Sequence, residues 1–169
     1  MKKQMLFLLV AICCQLTIVQ GQNSGKKFSL EDLMKKRIFS ASSIDGFRST
    51  NDGQHYTTLS DDYQRIEKFS YKSGQKVSTI LDLSKQQFPE VKMIVDYHFN
   101  ADETSLLIQA NYEPLYRRSF KADFYIYNLD AKTLVPLSKN GKQQLATFSP
   151  DGHKVAFVRD NNLFIKNLS

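Results

Sequence analysis

Tryptophan is absent from this 169-residue chain, and its two cysteines, Cys13 and Cys14, both fall in the first fourteen residues. Any chain that begins after them has no disulfide to staple it, even in an oxidising compartment, and must be held by buried apolar surface. No Gly-x-Ser-x-Gly elbow, His-Glu-x-x-His helix, P-loop or Cys-x-x-Cys pair occurs. The chain therefore offers no recognisable hydrolase nucleophile, zinc-protease helix, nucleotide cradle or redox centre of its own. Charge of one sign is not concentrated either. The net charge is +6, from 23 basic and 17 acidic residues, and the cations are spread along the chain. Nucleic-acid binding needs a concentrated basic face, so nothing here supports it.

Long apolar runs are missing except at the start. Met5 to Val19 is interrupted only by Gln15 and Thr17 and follows Lys2 and Lys3. At about 15 residues it is shorter than the roughly 20 needed to cross a bilayer. Val19 and Gly21 are small enough for a signal-peptidase site, which places cleavage between Gly21 and Gln22 and makes residues 1–21 a signal peptide. A retained N-terminal anchor is the alternative. A lipoprotein at Cys13 is disfavoured by bulky Ile12 before it. The expectation is export to the periplasm or beyond, with no stable membrane span. The remaining chain of about 148 residues loses two lysines and no acid, leaving 21 basic against 17 acidic side chains, and is of ordinary single-domain length.

What is present is strand. Residues 22–44 form an arm with one short helix at about 29–37, where Ser29 caps and Asp32 suits the first turn. Leu30, Leu33, Met34 and Ile38 recur at helical spacing in it. From residue 45 onward ten runs of about six residues, from HYTTLS (55–60) to LFIKNL (163–168), are rich in aromatic and β-branched types. Turn signals such as Ser73-Gly74, Asn140-Gly141 and Asp151-Gly152 separate them.

These runs recur with a period. NDGQHYTTL (51–59), NADETSLLI (100–108) and SPDGHKVAFV (149–158) align on Asp52, Asp102 and Asp151, at spacings of 50 and 49 residues. Tyr56, Leu106 and Val155 then coincide, as do Thr58, Ile108 and Phe157. Units of 40–50 residues with about four strands each predict β-propeller blades rather than a sandwich. The fold class read from the sequence is all-β: a partial β-propeller over residues 45–169, two to three blades, with a short N-terminal helix. Propellers close with four to eight blades, so the segment reads as part of a longer propeller.

The repeated aspartates suit tight turns, where the carboxylate accepts from nearby amides and glycine tolerates positive φ. His55, His98 and His153 lie far apart and read as structural, so neither a metal nor a cofactor is expected. One unit is longer than the others. From Asp52 the sharp turn follows after about 21 residues, and from Asp102 after about 28. The excess is EPLYRRS (113–119), in which Pro114 is expected to stop the ladder locally. The insertion carries Arg117 and Arg118 on one rim, where binding residues tend to collect. An arginine fork suits carboxylates and carbonyl oxygens, and Tyr116 could hold its plane. A solvated loop remains the competing reading from the residues themselves.

The run Tyr116-Arg117-Arg118-Ser119-Phe120, followed by the Tyr-rich strand to Leu129 and by FSPDGHKVAFV (148–158), resembles the N-terminal propeller of the dipeptidyl peptidase IV family, particularly its exported bacterial members. The resemblance covers about residue 28 to the end. It implies an eight-bladed propeller capping an α/β-hydrolase domain that lies outside this chain. It also implies release of X-Pro or X-Ala dipeptides from the N-termini of peptide substrates with penultimate proline, and a homodimer at full length. The family's propeller arginine, which binds the carbonyl of the substrate's second residue, falls on Arg117. Arg118 stands where the family usually has histidine. The alternatives are a non-enzymatic periplasmic propeller that binds partners, and a related prolyl tripeptidyl or oligopeptidase.

Overall fold

The computed structural model describes residues 29–36, 39, 41, 43–85 and 90–168. The proposed signal peptide and Ile38 lie outside them. Two units divide the chain, residues 1–42 and 43–169. In the first, helix α1 (Leu30–Met34) is shorter than the sequence predicts, but its start is as read. Ser29 Oγ accepts from the Asp32 amide at 3.0 Å, and an Asp32 carboxylate oxygen accepts from the Ser29 amide at 3.1 Å, a reciprocal capping box. None of its five residues is buried.

The second unit is built from three antiparallel sheets. The first has the order β1 (Arg48–Ser49), β2 (His55–Leu59), β3 (Arg65–Ser70) and β4 (Lys76–Asp82). The second repeats it with β5 (Asp96–Phe99), β6 (Ser105–Tyr116), β7 (Ser119–Asn128) and β8 (Thr133–Pro136). The third contains β9 (Gln144–Phe148), β10 (Lys154–Arg159) and β11 (Asn162–Asn167). The two-residue β1 and a 3-10 turn at Leu83–Lys85 are elements that hydrophobic patterning does not reveal. The three aligned repeats all fall on second strands, which explains their constant phase.

The core sits between the sheets. Leu59, Ile66 and Leu81 of the first sheet meet Leu106, Ile108, Tyr125 and Tyr127 of the second. On the other face, Leu107, Ala122, Phe124 and Ile126 meet Val155 and Phe157 of the third. Strands β6 and β7 are thus buried on both faces. That is why SLLIQA and FYIY read as continuous apolar runs rather than alternating ones. Tyr97 is fully buried, and its hydroxyl lies 2.6 Å from both the Gly46 carbonyl and Thr57 Oγ1. Burial pushes its phenol up to about 12. Gly46 is fixed by that contact. It has φ +66, and a Cβ there would stand 2.7 Å from Leu59 Cγ and 2.9 Å from the Tyr97 ring.

One four-residue turn recurs. Residues 50–53, 60–63, 100–103 and 149–152 each close with an amide of the fourth residue donating to the carbonyl of the first. The fourth residue is left-handed every time: Gly53 (φ 63), Tyr63 (56), Glu103 (54) and Gly152 (73). Asp52, Asp62 and Asp151 accept from a hydroxyl at the first position and from backbone amides beyond the turn. The turn at 100–103 departs from the expectation for Asp102. There Asn100 supplies the acceptor, bonding the Thr104 and Ser105 amides at 2.9 Å each. An amide side chain at the first position already reaches those donors, so the third position is not needed. The turn at 60–63 joins the second and third strands of its sheet, where the other three join the first and second, and so is out of phase with the 50-residue repeat.

Candidate functional site

Arg117 and Arg118 are the two residues of a tight hairpin between β6 and β7, and both are exposed. The sequence led to a loop that interrupts pairing. The ladder instead continues to the tip, with Glu113 opposite Lys121, Pro114 opposite Phe120 and Tyr116 opposite Ser119. Pro114 does not stop it, because β5 pairs with β6 only as far as Gln109. Beyond that rung no described residue pairs with that flank of β6, and proline is tolerated there. The insertion is therefore a two-stranded ribbon extending about 13 Å beyond the bulge, at about 3.3 Å per residue.

The ribbon presents Tyr112 and Phe120 with ring centroids 5.0 Å apart, and Tyr116 at 83% exposure beside the arginines. Among the described residues neither guanidinium has a hydrogen bond, ion pair or ring contact. The expected stacking of an arginine on Tyr116 is not formed; stacked arginines are found instead at Arg48 over Tyr97 and Arg159 over Phe164. Both fork faces at the tip are thus open to a ligand.

The base of the ribbon is tied down by residues that the sequence did not single out. The register shifts between Ala110 and Glu113, a bulge in which Asn111 takes φ 49. Asn111 Nδ2 donates to Asp123 Oδ2 at 2.8 Å and to the Glu90 carbonyl at 3.2 Å. Lys142 Nζ donates to the Asn111 carbonyl at 2.6 Å and lies 3.4 Å from the Glu113 carboxylate. Next to it, buried Gln143 bridges the sheets: its amide and carbonyl pair with Ala122, and its Oε1 accepts from the Phe124 amide at 3.0 Å. A cleft of about 370 Å³ at this base is lined by Glu90, Asp123, Tyr125 and Lys139. Burial, then the charges of Asp123 and Glu90, raises the Tyr125 phenol. A polar Asn inside an apolar strand run, and the Asn-Gly pair just before Lys142, were the available sequence signals for this anchor.

The three histidines are not brought together. His55 Nδ1 lies 2.6 Å from Asp52 Oδ2, and His98 Nε2 lies 3.4 Å from Asp96 Oδ2. The amide of His153 bonds Asp151. Among the described residues no group of side chains is arranged to hold a metal ion, and no helix is long and apolar enough to cross a membrane.

Compared with known proteins, residues 100–169 match the dipeptidyl peptidase IV (DPP IV) N-terminal region. "Probable dipeptidyl-aminopeptidase B" of Podospora anserina is 27% identical over 176 residues, covering 91% of this chain and 18% of that protein. "Probable dipeptidyl peptidase 4" of Aspergillus flavus is 28% identical over 171 residues, covering 96% of this chain and 22% of that one. Among solved structures, dipeptidyl peptidase 4 of Porphyromonas gingivalis superposes with a TM-score of 0.75 and 35% identity, over 85% of this chain and 20% of the other. The chain spans about a fifth of the length of these relatives.

Proposed function

This chain is an N-terminal propeller portion of the dipeptidyl peptidase IV family, and from that premise we propose that it is the substrate-holding segment of an exported serine dipeptidyl peptidase. The observation that carries the proposal is the Arg117–Arg118 tip: two guanidinium groups without a partner among the described residues, on a paired ribbon that leaves the sheet. Arg117 binds the backbone carbonyl of the first residue of a peptide, since the carbonyl of the second is the one the nucleophile attacks, and Arg118 flanks the same strand. The nucleophile and its partners belong to polypeptide beyond these residues.

The chemistry asked of the segment is positioning. An amide carbonyl held by a charge-assisted hydrogen bond fixes where the following peptide bond lies, so the bond after residue two meets the nucleophile in a productive orientation. Proline at that second residue suits such a clamp, because its φ is already fixed and little conformational freedom is lost on binding. Arginine serves better than lysine, since its planar fork is fixed in direction.

The test is made in the complete polypeptide, with an X-Pro p-nitroanilide as substrate. Arg117→Ala should lower kcat/KM by about 2–4 kcal/mol, the loss of one charge-assisted bond to a bound group. Unchanged turnover by a folded variant would sink the proposal.

A further inference from the structure

We infer that Lys142 is a positioning residue that sets the direction in which the arginine ribbon points. The inference concerns the aim of the ribbon, and its consequence for catalysis rests on the reading of Arg117 above.

A two-stranded ribbon that no further described strand flanks has no sheet to define its angle. Its direction is decided at the bulge, where the strand bends and its twist increases. The bulge here is Asn111-Tyr112, and Asn111 is left-handed, a conformation open to asparagine but costly for most residues. Because the ladder is out of register there, the Asn111 carbonyl needs a donor from elsewhere. Lys142 supplies it at 2.6 Å, from the loop that leads into β9 of the next sheet. The same ammonium lies 3.4 Å from Glu113, the first residue of the ribbon past the bulge. One cation thus bridges the two sides of the bend. The Lys142 side chain is about one-third exposed, so its bond is partly shielded from water.

The backbone that carries Lys142 is itself fixed. Gln143 is 1% exposed, pairs with Ala122 through its main chain and bonds the Phe124 amide through its side chain. The anchor therefore stands on the segment that enters the third sheet, and that segment is pinned to β7 of the second, the sheet to which the ribbon belongs. A shift of that segment against the ribbon reaches the bulge directly through Lys142.

The experiment uses the complete polypeptide with Lys142→Met, which keeps the aliphatic stem and removes the donor, and Lys142→Arg as the conservative rescue. Amide hydrogen exchange of residues 112–121 is compared with that of 105–110 and 124–127. In Lys142→Met the ribbon amides should exchange about tenfold faster while the flanking strands are unchanged, since a hydrogen bond to a charged group is lost locally. The kcat/KM on an X-Pro p-nitroanilide should fall about tenfold, with both effects largely reversed in Lys142→Arg. Unaltered ribbon exchange overturns the inference whatever the kinetics show. Faster exchange with unaltered kcat/KM also overturns it, provided Arg117→Ala is impaired. If Arg117→Ala is itself unimpaired, the reading of Arg117 has failed and the positioning role falls with it.

Discussion

At the scale of single residues, the structure turns on polar atoms placed where they have few alternatives. Tyr97 is fully buried, and its hydroxyl joins the Gly46 carbonyl, Thr57 of β2 and the strand β5 that begins the second sheet. Tyr97→Phe keeps the ring but leaves those two oxygens without this partner. We expect a loss of about 1–3 kcal/mol, the usual cost of a buried group left unsatisfied, read as a lower urea midpoint with an unchanged m value. Equal midpoints would mean that the pocket rearranges to satisfy both groups. Arg117 is the opposite case, a charge with no partner among the described residues, and its replacement should leave stability within about 0.5 kcal/mol of the parent. Both residues could be picked out as tyrosine and arginine in a β context. Only the structure shows that one is committed to the core and the other is free.

At the scale of elements, the recurring turn makes an acid-dependent contribution. Asp52 is held well below the ordinary carboxylate value of 3.8 by Thr50, the Gln54 amide, His55 and Lys68. Asp62 and Asp151 are lowered in the same way, by Ser60 and the Gln64 amide and by Ser149 and the His153 amide. A carboxylate with a depressed folded pKa stabilises the fold above its unfolded value, and that contribution is lost as pH falls through the folded one. Stability should therefore decline on acidification below about pH 3.8. Asp52→Asn should decline less steeply over that range in urea titrations at successive pH values; parallel slopes would show that the turn carboxylate is not coupled to folding. The turns at 50–53 and 149–152 were legible because Asp-Gly pairs and a 50-residue period are visible in the sequence, whereas that at 60–63 carries neither signal. The turn at 100–103 was only half legible, since Asn100 took the acceptor role from Asp102. The hairpin ribbon was misread as a loop, because proline's missing donor matters only where both flanks of a strand are paired, and pairing of flanks is not a local property.

At the scale of the whole molecule, sheets stack through two apolar layers, and the outward faces of the first and third sheets still present apolar side chains. Leu163 and Ile165 of β11 are 71% and 66% exposed, while Phe164 between them packs inward. On the first sheet Phe47, Tyr56, Phe69 and Tyr71 form an aromatic cluster over the face opposite the core. Residues 1–169 produced by themselves should self-associate through such surfaces. Replacing Leu163 and Ile165 with lysine should shift the species toward monomer in light scattering, and a monomeric parent would contradict this. The phase of the 50-residue repeat followed from the sequence, whereas the anchoring of the ribbon by Lys142 and Gln143 did not, because its bonds join residues 31 and 19 positions apart. The central claim is that the ribbon tip holds the peptide backbone. It is tested most directly by a crystal structure of the complete protein with a slowly cleaved X-Pro peptide. The account predicts an Arg117 guanidinium nitrogen about 2.7–3.2 Å from the carbonyl oxygen of the first residue. A bound peptide whose carbonyls all lie beyond hydrogen-bonding reach of Arg117 would contradict it.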